Sequence, residues 1–188
     1  MLIVWFAGVL AGFTQLAAYE TGPGAAATPP AYWPEIDGFE RDLCKPTVLF
    51  FAHPHCPCTR ASVRELARIA AKNRLEAQFV AVFFASAAMG KDWERSDIWR
   101  SAEAIPGMVL RADPEGSLAR AFGVKTSGEV LAYSADGQLR FHGGITPSRG
   151  HEGDSHGQSA LVAMLLEFQA KSSRNSKLET RNFLNFEF

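Results

Sequence analysis

Two cysteines separated by one proline, Cys56-Pro57-Cys58, stand where an apolar run ends and an amphipathic run begins, and this feature restricts the fold more than any other. Upstream, Thr47-Val48-Leu49-Phe50-Phe51 is a short apolar block of the kind that forms a strand buried on both faces. Downstream, residues 59–74 have helical period: Val63, Leu66, Ala67 and Ala70 share one face, and Arg60, Arg64, Arg68 and Lys72 are available to water. The cysteines therefore fall at the carboxyl end of a strand, where open α/β sheets place their sites. They also fall at a helix amino end, where unpaired N–H groups and the macrodipole favour an anion. A thiolate is an anion, so a cysteine placed there has a lowered pKa and becomes a nucleophile. His53, His55 and Arg60 add cationic or proton-transferring groups nearby, and Pro57 suits the first helical position.

Strands and helices continue to alternate. Residues 77–84 read as a second buried strand. Residues 92–104 read as a helix anchored by Trp93, Ile98 and Trp99 and stopped by Pro106. Residues 108–110 give a short strand, and Asp113-Pro114-Glu115 opens a short helix that ends near Gly123. The runs 130–133 and 138–142 flank Ala135-Asp136-Gly137, a hairpin signal. A polar loop, 143–157, leads to a last helix over 159–170. The pattern predicts one α/β domain over residues 41–170, with a mixed central sheet flanked by helices.

Two appendages surround that domain. Residues 1–19 carry no charged side chain and are just long enough to cross a bilayer, which needs roughly 20 apolar residues. They are expected to act as a membrane anchor or signal segment. Residues 20–40 hold Pro23, Pro29, Pro30 and Pro34 among glycines and alanines and read as a linker, with Trp33 available to pack on the domain. The sequence predicts a single-pass protein of the cytoplasmic membrane with its domain toward the periplasm or cell exterior. Residues 171–188 are polar before their last phenylalanines and read as a disordered tail.

Composition narrows the function. A net charge of −1, from 19 basic and 20 acidic side chains, leaves no electrostatic footprint for nucleic acid. Three cysteines are too few for a disulfide scaffold, and their clustering points to chemistry. A disulfide between Cys56 and Cys58 would close a very small ring, far from relaxed geometry, and strain makes such a bond easy to reduce. Cys44 precedes Pro46 at the start of the first strand and reads as a small buried hydrophobe, with resolution of a mixed disulfide as its other role.

Residues 48–66 resemble the active-site strand and helix of the thioredoxin-like superfamily. Phe122-Gly123-Val124, the run 130–133 and Ala135-Asp136-Gly137 resemble the close of its membrane-anchored thioredoxin and peroxiredoxin-like branch. More narrowly, FAHPHCPCTRAS, DIWRSAEAIPG and GGITPSRGHEGD are similar to bacterial RedB-type proteins with a Cys-Pro-Cys site. The resemblance spans about residues 30–166. It implies a three-layer thioredoxin-like fold and cofactor-free thiol–disulfide exchange with protein thiols or disulfides. Two departures stand out. Thioredoxins separate their cysteines by two residues, so an ungapped count puts His55 on the first cysteine position and Cys58 on the second. A one-residue shift makes Cys56 the attacking thiol, the preferred assignment. The proline that such proteins hold opposite the cysteines is replaced by Gly128 or Ser127, and glycine there leaves room for a partner sulfur, another substrate or a metal.

The catalytic set expected is thus Cys56, Cys58 and His55, with His53, Pro57, Arg60, Gly128, His151 and Glu152 in support and no metal. His151 and Glu152 come from the glycine-rich loop 150–157 and are expected to fold back toward Cys56 as acid/base groups, against a role as a solvated cap on the last helix. Two other classes compete. The dense His/Cys set also suits Cu(I) or Zn delivery, with His142, His151 or His156 as a distant ligand. A tethered binding module without catalysis is the third.

Overall fold

The computed structural model describes residues 1–22, 24, 25, 27–72 and 77–184. The expected end of the first long helix at 73–74, linker residues 23 and 26, and tail residues 185–188 lie outside them. Ten elements follow in order: α1 (Leu2–Thr21), β1 (Thr47–Ala52), α2 (Pro57–Lys72), β2 (Gln78–Ala85), α3 (Asp97–Glu103), β3 (Met108–Pro114), α4 (Ser117–Ala121), β4 (Glu129–Tyr133), β5 (Leu139–Gly143) and α5 (His156–Leu184). The five strands form one sheet in the order β3-β2-β1-β4-β5. β1 runs parallel to β2, and β2 to β3, while β4 lies antiparallel to β1 and β5 antiparallel to β4. The sheet is mixed and the fold α/β.

Each face of the sheet has its own core. On one face Val48, Phe50 and Ala52 of β1 meet Val63, Leu66 and Ile69 of α2, Ile98, Trp99 and Ala102 of α3, and Leu161 and Leu165 of α5. On the other, Leu49 and Phe51 meet Val80, Val82, Leu131, Tyr133, Phe39 and Phe122. β1 is buried along its whole length, which is why its sequence is a continuous apolar run and not an alternating one.

The second core is closed by α4 and by residues from the stretch that the sequence assigns to a linker. Trp33, Ile36 and Phe39 pack there, and the Trp33 ring lies 5.0 Å from Phe122 and 5.3 Å from Tyr133. The Tyr133 hydroxyl donates to the Pro30 carbonyl at 3.1 Å, and Leu139 N–H donates to the Ala31 carbonyl at 2.8 Å. A β-sheet with two apolar faces needs a cover on each, and the helices supply enough for only one. The proline-rich stretch covers the remainder in extended form.

Three further elements differ from the sequence reading. α3 begins at Asp97 because Ser96 caps it, its Oγ accepting from Trp99 N–H at 3.3 Å. Trp93 is left in the preceding turn, with Asp92 at φ 59°. β3 runs through Pro114, and α4 opens at Ser117. Asp113 still caps α4, but from within the strand: its carboxylate accepts from Leu118 N–H at 2.7 Å and from Ala119 N–H at 3.0 Å. α5 continues as helix to Leu184, where a disordered tail was expected. A Lys171–Glu167 pair at 2.7 Å spans the point where the apolar stripe stops. Lys, Ser, Arg and Glu readily extend a helix once packing has nucleated it.

Candidate active site

Cys56 immediately precedes α2, Pro57 opens it and Cys58 lies in its first turn. The turn into the helix is closed by Cys56 N–H donating to the His53 carbonyl at 3.1 Å. Both thiols are free and half-buried. Their environments pull them apart. Burial opposes ionisation of Cys56, but hydrogen bonds from the Thr59 hydroxyl, the Thr59 N–H and Cys58 outweigh it and bring its pKa below the ordinary thiol range. That is the chemistry of a residue at the cap of a helix, where the side chain accepts from the first free N–H groups. Cys58 is pushed the other way, first by burial and then by the charge and hydrogen bond of Cys56, with Arg149 acting weakly in the opposite sense. Cys56 is thus the more acidic thiol of the pair and Cys58 the less acidic.

Behind Thr59 runs a chain of hydrogen bonds. The Thr59 and Ser127 hydroxyls lie 2.7 Å apart, where either can donate to the other, and Ser127 Oγ accepts from His53 N–H at 2.8 Å. The loop that stands where proline was expected therefore meets the start of α2 and the turn before it through Ser127. Gly128 beside it has φ 94° and donates its N–H to the Phe51 carbonyl at 2.8 Å, a bond that proline cannot make.

The histidines are placed differently from the expectation. His55 rests on Trp93, with ring centroids 4.6 Å apart and Nε2 3.1 Å from the Trp93 carbonyl. His53 stacks on Phe84 at 5.9 Å, and its Nδ1 accepts from His55 N–H at 3.3 Å. Burial, and then the charge of His55, lower the His53 pKa, which disfavours a cation at that position. Among the described residues, no hydrogen bond links either ring to a cysteine sulfur. Trp93, once freed from α3, provides the aromatic wall that holds both.

Arg60 does not face the thiols; its guanidinium pairs with Asp97 of α3 at 2.5 Å. The loop 150–157 does return to α2, but not through the residues named from sequence. Glu152 pairs with Arg64 at 2.6 Å and Arg68 at 2.7 Å, which hold its carboxyl below the usual range. His151 Nδ1 lies 2.9 Å from the Arg149 carbonyl, and its ring is exposed. The contact with the thiol pair comes from the two residues before: a Cβ on Gly150 would lie 3.8 Å from Cys58 Cα, and the Arg149 charge reaches Cys58. The buried Glu65 pins the loop by accepting from Gly153 N–H and Gln158 Nε2, each at 2.8 Å.

Sequence reasoning thus placed the cysteines at the β1–α2 junction and Ser127 or Gly128 opposite them, and missed Thr59, Arg149 and Gly150 as their neighbours. Thr59 could have been found from its place as third residue of the helix. Nothing local marks Arg149. Among the described residues no group of three or more His, Cys, Asp and Glu side chains converges as metal ligands.

No family model matches the chain, and no curated protein is similar to it. Solved structures are. An uncharacterised conserved protein from Geobacillus kaustophilus superposes with a TM-score of 0.55 at 18% identity, covering 79% of this chain and 82% of that one. A hypothetical protein from Sinorhizobium meliloti gives 0.53 at 16% identity, covering 79% and 88%. A secreted disulfide oxidoreductase of Mycobacterium tuberculosis, homologous to E. coli DsbE, gives 0.46 at 20% identity, covering 65% and 81%. With cysteines at the β1–α2 junction, a parallel β1-α2-β2 unit, an antiparallel β4–β5 hairpin and a closing helix, this chain has a thioredoxin-like three-layer α/β fold.

Proposed function

We propose that the protein is a membrane-tethered, extracytoplasmic thiol–disulfide oxidoreductase in which Cys56 attacks and Cys58 resolves. One observation carries this reading: two free, half-buried thiols sit where β1 passes into α2, in surroundings that push Cys56 down and Cys58 up in pKa. In the reductive direction the Cys56 thiolate attacks a partner disulfide, forming a mixed disulfide and releasing one partner thiolate. Cys58 then loses its proton to solvent or to that thiolate and attacks the Cys56 sulfur. The second partner thiolate leaves, the Cys56–Cys58 disulfide forms, and two electrons have passed to the partner. The reverse sequence oxidises a partner dithiol. Exchange rates follow the thiolate fraction of the attacking sulfur, which is what the Thr59 bonds raise. The tether is α1, which is long and apolar enough to span a bilayer and has no buried residue. The domain is read as lying outside the cytoplasm because lasting disulfides in partner proteins belong to oxidising compartments.

Trapping tests the roles. With oxidised glutathione, Cys58→Ser is expected to accumulate one mixed disulfide on Cys56, read by mass, while Cys56→Ser accumulates little on Cys58. Equal trapping on either single cysteine would contradict the assignment.

A further inference from the structure

We infer that the cysteine end of the domain is held against the plane of the bilayer, and that the disulfide or dithiol it exchanges with is carried by a membrane protein at that surface; this rests on reading α1 as a membrane anchor. The carboxyl end of α1 is tied to the domain. The Arg149 guanidinium lies 4.7 Å from the centre of the Tyr19 ring, and Arg149 N–H donates to the Glu20 carbonyl at 3.2 Å. The chain that follows stays at the same end. Thr126 Oγ1 donates to the Ala25 carbonyl at 3.2 Å, a Cβ on Gly24 would lie 2.7 Å from the Thr126 side chain, and Thr28 N–H donates to the Gly123 carbonyl at 3.1 Å.

The loops that receive these contacts are the loops that serve the cysteines. Arg149 acts on Cys58, Gly150 packs on it, and Thr126 precedes the Ser127 that supports Cys56 through Thr59. Arg149 thus contacts the end of the apolar helix, and its charge reaches Cys58. From Thr28 the chain crosses to the far end of the sheet, where Trp33 N–H donates to the Gly137 carbonyl at 2.8 Å. There Cys44 stands exposed before β1. β1 returns over the length of a six-residue strand, ~20 Å, to Cys56. The anchor and the reactive pair share one end of the domain, and Cys44 marks the other.

A 20-residue helix spans about 30 Å, the thickness of the hydrocarbon core. Tyr19 then falls at the interface, where tyrosine is favoured. Loops 126–128 and 149–150 lie at headgroup level. A partner arriving through open solvent meets this end covered by residues 20–22, 24 and 25 and by lipid. A partner embedded in the same bilayer meets it sideways.

The test uses the full chain with a single cysteine, at 44 or at 56, labelled with bimane and reconstituted in phosphatidylcholine vesicles with ordinary or chain-brominated lipid. Flotation is read first: protein that does not float overturns the anchor and this inference with it. In floating protein, brominated lipid is expected to quench bimane at Cys56 and leave it unchanged at Cys44. No quenching at Cys56, or equal quenching at both, overturns the orientation while leaving the anchor standing. The partner is tested with the unlabelled wild-type chain and a disulfide peptide on a short acyl tether in the same vesicles. Its disulfide takes two electrons and two protons and becomes two thiols as the Cys56–Cys58 disulfide forms. Reaction is expected to be about a hundredfold faster than with the same peptide free in solution at equal bulk concentration. Equal rates overturn the membrane-borne partner.

Discussion

At Cys56 burial and hydrogen bonding oppose each other, and the bonds win because the residue caps a helix whose third residue carries a hydroxyl. Removing that hydroxyl reverses the balance. Thr59→Val is expected to slow alkylation of Cys56 about tenfold at a pH below the wild-type pKa, since a hydrogen bond to a charged group is worth ~1.5 kcal/mol. The sign follows from the thiolate being the reactive form. In wild type the rate falls with pH only below a depressed pKa, and in the variant the fall begins at higher pH. Ser127→Ala is expected to move the curve in the same direction by less, because Ser127 acts only through Thr59. His151→Ala is expected to leave the curve unchanged, since that ring bonds to the Arg149 carbonyl; a shift as large as that of Thr59→Val would contradict the geometry. The cysteines were legible in the sequence because strand, proline and helix signals all lie within a few residues of them. The Ser127 link was not, because it joins residues 68 positions apart and depends on how β4 is registered against β1.

The proline-rich stretch behaves as an element of the fold, although it forms no helix and no more than an isolated bridge, Tyr32 to Gln138. Its energetic weight lies in Trp33, set among Phe39, Phe122 and Tyr133. Trp33→Ala is expected to lower unfolding stability by about 3 kcal/mol in a denaturant titration; an unchanged midpoint would return the stretch to a linker. Gly123 adds a second handle, since it has φ 64° and a Cβ there would lie 2.3 Å from the Thr28 carbonyl. Gly123→Ala is therefore expected to loosen the same stretch, seen as faster amide exchange at residues 28–33. Local pattern revealed β1, α2, β2 and the hairpin, whose signals are continuous apolar runs, helical period and an Asp-Gly turn. It misplaced the starts of α3 and α4 because Trp93 satisfies the helical period yet packs on histidines, and because Asp113 caps α4 from inside a strand. It read the linker from its prolines and glycines, which describe backbone stiffness and not what the aromatic residues between them cover.

For the whole molecule, the sheet order brings the carboxyl end of β1, the loop before β4 and the loop before α5 to one end of the sheet, and α1 ends there. Alternating strand and helix patterns suggested the α/β class and an apolar run suggested α1, but which end of the domain α1 meets depends on long-range contacts of Arg149 and Thr126 that no sequence window contains. Alkaline phosphatase fused after Phe188 is expected to be active, because that reporter needs an oxidising compartment; an inactive fusion beside a fluorescent cytoplasmic one at the same point would reverse the topology. The central claim remains the dithiol itself. Mild oxidation of the full chain, quenched by alkylation and read by mass spectrometry, tests it most directly. The account predicts Cys56 and Cys58 protected together, Cys44 alkylated, and the protection lost in Cys58→Ser; free alkylation of both Cys56 and Cys58 after oxidation would contradict it.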